Sequence, residues 1–444
     1  MKTLQAAALI LSAITPIFAQ CSGGSSQIPV LRIPDPLQRD KTVFDTTTAT
    51  ECSQKDMKRL KALKVTADEP FRVTMSCSGV SDQSCGYAKA SIEAALGKIG
   101  QAFRFRKTVT VNAKFRSFCK GESSDTCSLF NVLGMAAPSA LLLAKREGDD
   151  TSFWYPQGLV KQFVTTKTID YAPYDVVAEF NADYPFYYPS NPASVMSSKQ
   201  FDFEYIAAHE LLHGLGFTTL WRLYDSNLSP QITKKMFIPV LKCTDGNTVA
   251  TLKCEDWFGL TVYDKYLYDK STNTPLMDHA KTFFQRSLKG MTYNGVTSMM
   301  YGDSNLYRRM QSALNAATSG TQLYFKNQNT SVQLYAPAKY APSSSVAHVD
   351  TSTYQSTIDF IMAHDASSKL GIKFENVINK PGMVGCLGPL TRFMMSSMGW
   401  PTENSTSQVL AIEDSIDLNE ASSFAGRFAV GGAALLLIAT TFIY

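Results

Sequence analysis

His209, Glu210 and His213 form the pattern H-E-x-x-H, followed by Gly214 and Gly216. On a helix, residues four apart stand one above the other on the same face, so the two imidazoles can hold one cation. Glu210 lies between them in sequence and is angled toward a water beside that cation, where a carboxylate serves as general base. The chemistry this spacing suits is hydrolysis by a zinc-activated water; the plain alternative is a helix carrying two surface histidines. A catalytic zinc takes three protein ligands and keeps one position open. In the short spacing H-E-x-x-H-x-x-G-x-x-H the third ligand would be residue 219, and that residue is Thr219. The chain has five histidines in all, so His279, His348 and His364 are the remaining candidates.

These residues need a frame. Ala90, Ile92, Ala95, Leu96, Ile99 and Phe103 recur at helical spacing and predict an amphipathic helix over 87–103. Alternation over 109–115 predicts a strand, and residues 176–181 read as a second one. Asp202, or a serine just before it, is placed to cap the helix that carries His209 and His213, and Gly214 and Gly216 to end it. Short β structure is expected at 322–325 and 332–337, and a closing helix over 389–400 stopped by Gly399. Helix, strands, then the histidine helix make an α+β lobe.

The ends read as export signals. Residues 1–19 have a basic start and an apolar run, as a signal peptide does, and 424–444 are almost wholly apolar with no basic residue after Arg427. The latter suits a glycosylphosphatidylinositol anchor signal, with Asn419 or Ala421 as attachment candidates, rather than a spanning helix. Between the ends we expect an N-terminal arm or pro-region at 20–85, an N-terminal lobe at 86–216, an insertion at 217–340, a C-terminal lobe at 341–401 and a surface linker at 402–423. Lys58 and Arg59 are either a dibasic processing site or two charges on a solvated helix. Nine cysteines fit an oxidising compartment. Cys77 with Cys85, Cys119 with Cys127 and Cys243 with Cys254 are the local pairs; Cys21, Cys52 and Cys386 are left over, and a thiolate from Cys21 or Cys52 could cap a metal in a latent form. Sequons begin at Asn227, Asn329 and Asn404. Lys plus Arg number 42 against 38 Asp plus Glu, without a basic block, which argues against nucleic acid as a partner.

Over residues 86–401 the chain resembles metzincin zinc peptidases with a long insertion before the third histidine, as in leishmanolysin. It is more similar still to secreted peptidase-like proteins that pair an HELGHALGF-like helix with a later S-x-S-H-x-D segment. The residues that carry the resemblance are 201–203 before the helix, 262–267 and 334–337 in the insertion, 344–350 around His348, Met362 fourteen residues further on, and 389–400. It implies one Zn2+ per chain on His209, His213 and His348, Glu210 as base, Met362 as the apolar floor of a methionine turn, and peptide or protein substrates. It also implies that the strand 176–180 is a sheet edge to which substrate adds. Two departures are Leu212, where glycine is usual, and Ala363 after the methionine. Asp350 either orients a ligand from behind or is a surface aspartate, and His364 is expected to be a loop histidine beside the site. The competing function is a surface-anchored binding or adhesion protein that keeps such a fold.

Overall fold

The computed structural model describes residues 21–33, 43–62, 67–119, 127, 129, 131–225, 234–244, 253–403, 405, 408–413 and 440–443. Residues 1–19, expected as a signal peptide, and Asn227, Asn404, Asn419, Ala421 and most of 424–444 lie outside them.

The chain runs β1 (Ser25–Arg32), β2 (Val43–Glu51), α1 (Gln54–Ala62), β3 (Phe71–Ser78), α2 (Asp82–Gly100), β4 (Val109–Arg116), β5 (Val132–Pro138), β6 (Ala140–Arg146), β7 (Phe153–Pro156), α3 (Gln157–Val160), β8 (Val164–Thr165), β9 (Lys167–Ile169), β10 (Val176–Asn181) and α4 (Phe203–Gly214). The class is α+β. One sheet orders β3, β4, β10, β5 and a last strand, Thr440–Ile443. In it β3, β4 and β10 are parallel, and β5 runs antiparallel to β10. The other sheet orders β8, the strand Val409–Ile412, β6, β1, β2 and β9, with β7 also paired to β6.

Periodicity explains most of the first sheet. In β4, Val109, Val111, Ala113 and Phe115 are buried while the alternate residues are partly exposed, as a strand with one core face requires. The core they enter also holds Ala88, Ile92, Ala95, Leu96 and Ile99 of α2. β10 is buried along its whole length, because its second face, through Val177, meets Leu31, Leu141 and Trp154 of the other sheet. An acid in such a strand must be neutralised. Glu179 accepts hydrogen bonds from Lys114 Nζ at 2.9 Å and Arg116 Nε at 2.9 Å, both on neighbouring β4.

Two expectations are corrected, and two segments at the ends of the described chain contribute strands to the sheets. The strand 176–180 is not an edge: β10 lies between β4 and β5, and β5 is the outer core strand. Within residues 20–85, expected as an N-terminal arm or pro-region, β1 pairs with β6 and β3 pairs with β4. The linker 402–423 contains Val409–Ile412, which pairs with β6 and β8. Cys21 and Cys52 are bonded to each other, because the β1–β2 register sets Ser25 opposite Thr50 and brings the two flanking cysteines together; neither thiol is available to cap a metal. The three local pairs are disulfides as well. Cys386 is a buried free thiol, and burial pushes its pKa up to about 12.

The insertion begins with a hairpin of β11 (Trp221–Tyr224) and β12 (Met236–Pro239). It continues through small sheets and three helices, Leu276–Phe284, Tyr293–Gly302 and Ser304–Thr318. Lys58 and Arg59 are exposed on α1, and Asn329 is exposed at the turn between Leu323–Asn327 and Thr330–Gln333. Among the described residues no helix is long and apolar enough to cross a membrane.

Candidate metal centre

Every residue of α4 is buried, so this helix is fixed by the core on all sides rather than by an amphipathic face. Asp202 caps it: Oδ1 accepts the Glu204 N–H at 3.0 Å and Oδ2 accepts the Phe374 N–H at 2.9 Å, which ties the helix start to the C-terminal lobe. Its far end depends on glycine for two reasons. A side-chain carbon on Gly214 would come within 2.3 Å of Val176 Cγ1, so glycine there permits close approach to β10. Gly216 has φ +115° and turns the chain, a conformation that suits glycine. The turn brings the Phe217 carbonyl to within 2.7 Å of His213 Nδ1. Thr219, at the short-spacing ligand position, instead donates its hydroxyl to Asp264 Oδ1 at 2.5 Å.

His348 arrives from the other side of the insertion. Its loop contains two left-handed residues, Ser343 (φ 69°) and Val346 (φ 75°). A β-branched residue in that region costs about 1–3 kcal/mol. Val346 is held there because its carbonyl accepts the Tyr263 hydroxyl at 2.8 Å and its N–H donates to Tyr335 O at 2.9 Å.

The three rings converge. His209 Nε2 lies 3.1 Å from His213 Nε2 and 3.2 Å from His348 Nε2, and the remaining pair is 3.2 Å apart. Each Nδ1 faces a backbone carbonyl: Ile361 O at 2.6 Å for His209, Phe217 O at 2.7 Å for His213 and Ser344 O at 2.9 Å for His348. A carbonyl only accepts, so each Nδ1 carries the hydrogen and each Nε2 presents a lone pair. Burial, then the neighbouring imidazoles, holds all three well below the usual histidine pKa. Three buried lone pairs facing one another are satisfied together by a cation. Ligands about 2.0–2.1 Å from a tetrahedral zinc stand roughly 3.3 Å apart, so the donor set fits that ion. Among the described residues these three form the one group that could hold a metal.

Glu210 is fully buried beside them. Gly134 of β5 leaves it room: a side-chain carbon there would lie 3.0 Å from Glu210 Cγ. Met362 ends a buried 3-10 turn, Phe360–Met362. Its carbonyl accepts the Val349 N–H at 2.9 Å, and the preceding carbonyl, of Ile361, serves His209. The turn thus braces two of the three histidines. His364 stacks on Tyr335, ring centroids 3.7 Å apart, and its Nδ1 pairs with Thr351 Oγ1 at 2.7 Å, outside the triad. His279 is buried in the insertion helix Leu276–Phe284.

Asp350 does not orient a ligand. It caps the short helix Thr351–Tyr354, accepting from the Thr353 N–H at 2.9 Å and the Ser352 hydroxyl at 2.6 Å. Orientation falls to the carbonyls of Ile361, Phe217 and Ser344, which sequence cannot announce because every residue has one. The four-residue offsets 213–217 and 344–348 are the trace they leave.

A family model described as SPBPB7E8-like matches residues 37–423, a span that includes all three histidines. The chain belongs to the SPBPB7E8-like family. Within reach of this family member is an uncharacterised protein of Schizosaccharomyces pombe, PB7E8.01, 24% identical over 320 residues, which are 65% of this chain and 54% of that one. The chain therefore spans about half the length of the curated relative it matches. No solved structure matches.

Proposed function

We infer that this SPBPB7E8-like protein is a zinc-dependent endopeptidase of metzincin type that acts in the secretory pathway or at the cell surface. The observation that carries the reading is the convergence of three Nε2 lone pairs, each ring fixed by a carbonyl, with Glu210 on the same helix. The ordered path from histidine helix through a long insertion to His348, the Met362 turn and a closing helix, Pro389–Met398, supports the finer assignment. The four disulfides support an oxidising compartment.

His209, His213 and His348 would hold the zinc, which supplies a Lewis acid for the scissile carbonyl and a water of near-neutral pKa. Glu210 takes a proton from the attacking water and returns it to the leaving amine, so no nucleophilic serine or cysteine is called for. The substrate backbone adds to the outer edge of β5, next to Glu210. That edge already accepts an extended segment: Thr440–Ile443 pairs with it antiparallel, Thr440 opposite Ala136 and Ile443 opposite Val132.

The test is metal content together with cleavage of a peptide library by the purified protein and its Glu210→Gln variant. We expect about one zinc per chain in both, and a fall in turnover of about 10²–10⁴ in the variant. A protein that holds zinc and cleaves nothing favours the binding or adhesion function.

A further inference from the structure

Arg222 lies on β11, just beyond the turn that ends the metal helix. It is 5% exposed, and its Nε, Nη1 and Nη2 are all buried without a hydrogen-bond partner. A guanidinium does not shed its proton in a protein, and an uncompensated buried charge costs several kcal/mol. Its surroundings are aromatic. The guanidinium sits 5.7 Å from the Tyr224 ring, Tyr224 lies 5.8 Å from Tyr293, and Tyr340, packed on Phe237, closes another side. The groups whose charge reaches Arg222 are the phenols of Tyr224, Tyr340 and Tyr293, which are neutral at physiological pH. Tyr224 Oη is engaged with the Leu241 N–H. The Tyr293 hydroxyl is a second buried donor without a partner.

One cluster therefore holds a full positive charge and an O–H, both desolvated and neither bonded to a carboxylate among the described residues; the buried Asp225 carboxylate is near enough to act on Tyr293 but is not among the groups that act on Arg222. What complements them is an acceptor of charge −1. The aromatic walls and the single cation favour a small, weakly hydrated anion over phosphate, whose oxygens and second charge would need further donors. We propose that Arg222 and the Tyr293 hydroxyl bind one chloride ion inside the insertion, at a site separate from the metal centre. The ion neutralises β11 where it leaves the metal helix. The proposal is independent of peptidase activity.

Two measurements on the whole protein decide it. Crystals grown with bromide in place of chloride should show an anomalous peak beside the Arg222 guanidinium and Tyr293 Oη. In solution, at constant ionic strength, replacing gluconate by chloride should raise the melting temperature saturably, by about 1–2 °C at ten times the dissociation constant. Arg222→Met should abolish that halide dependence and Tyr293→Phe should weaken it. If Arg222→Met does not fold, the bromide peak and Tyr293→Phe still decide. No peak together with equal melting in chloride and gluconate overturns the proposal, as does stabilisation by acetate or phosphate but not by halide.

Discussion

Replacing His348 by alanine separates a three-ligand site from a two-histidine helix. The residue comes 135 positions after His213, yet its Nε2 stands 3.2 Å from both helix imidazoles. Zinc held by four protein ligands is worth about 10–16 kcal/mol at neutral pH, so one ligand carries roughly 3–4 kcal/mol, or about 10²–10³ in dissociation constant. Zinc at a hundred times the wild-type dissociation constant stabilises that protein by about 2.7 kcal/mol. For His348→Ala the same concentration is at or below the new constant, and the gain drops to about 0.4 kcal/mol or less. Without metal the variant should be less damaged than an ordinary buried-histidine truncation, because it removes one of three desolvated lone pairs aimed at one another. The assay is calorimetric melting after chelation and after zinc return, with metal content by mass spectrometry and His364→Ala as control. His364→Ala should behave as wild type, since its ring is engaged with Tyr335 and Thr351. One zinc per chain and an undiminished shift in His348→Ala would refute the reasoning.

Three further outcomes are expected. Gly214→Ala forces a methyl to 2.3 Å from Val176 Cγ1; it should cost about 1–3 kcal/mol and weaken zinc binding by tilting His213, both read by melting with and without metal. Burial pushes Asp202 up to about 6 from its usual 3.8, so the unfolded chain holds fewer protons than the folded one across that window. Stability therefore falls as pH rises from about 4 to 6 and levels above it; Asp202→Asn, whose amide oxygen keeps the Glu204 N–H bond while its NH2 gives up the Phe374 one, should lower stability at every pH but remove a pH-dependent fall of about 3 kcal/mol in urea titrations of chelated protein. A chain ending at residue 423 lacks the strand on β5 and should cleave peptides roughly tenfold faster than the full chain; equal rates would remove β5 as the substrate edge.

The parts of the fold legible in sequence were those with a short-range period. The 3.6-residue repeat marks α2, the two-residue repeat marks β4, and the spacing of His209 and His213 marks a shared helix face. His348 has no local spacing to the helix, and its assignment came from resemblance. β5 is hidden because Gly134, Ala136 and Ala137 lack the branched side chains that announce a strand. Which apolar strand lies outermost depends on pairing across the sheet, and β10 looked as eligible as β5. The Cys21–Cys52 bond follows from a hairpin register that only the folded strands define. In the insertion, Gly295 and Gly302 interrupt the helical pattern of Tyr293–Gly302. Asp350, open between a ligand-orienting role and a surface aspartate, caps Thr351–Tyr354, and an aspartate three residues before Thr353 carries the local signal of such a cap.

The Trp400 indole N–H donates to the Leu215 carbonyl at 3.0 Å, joining the end of the closing helix to the end of α4 across 185 residues. A ribosome releases the residues in the opposite order of need. His209 and His213 emerge early, His348 much later, and the tryptophan that ties off their helix nearly last. A nascent chain can offer a metal only a pair of imidazoles on an unanchored helix. On the proposed function, loading belongs after synthesis is complete, and the metal content of the compartment that receives the finished chain would set which ion it carries.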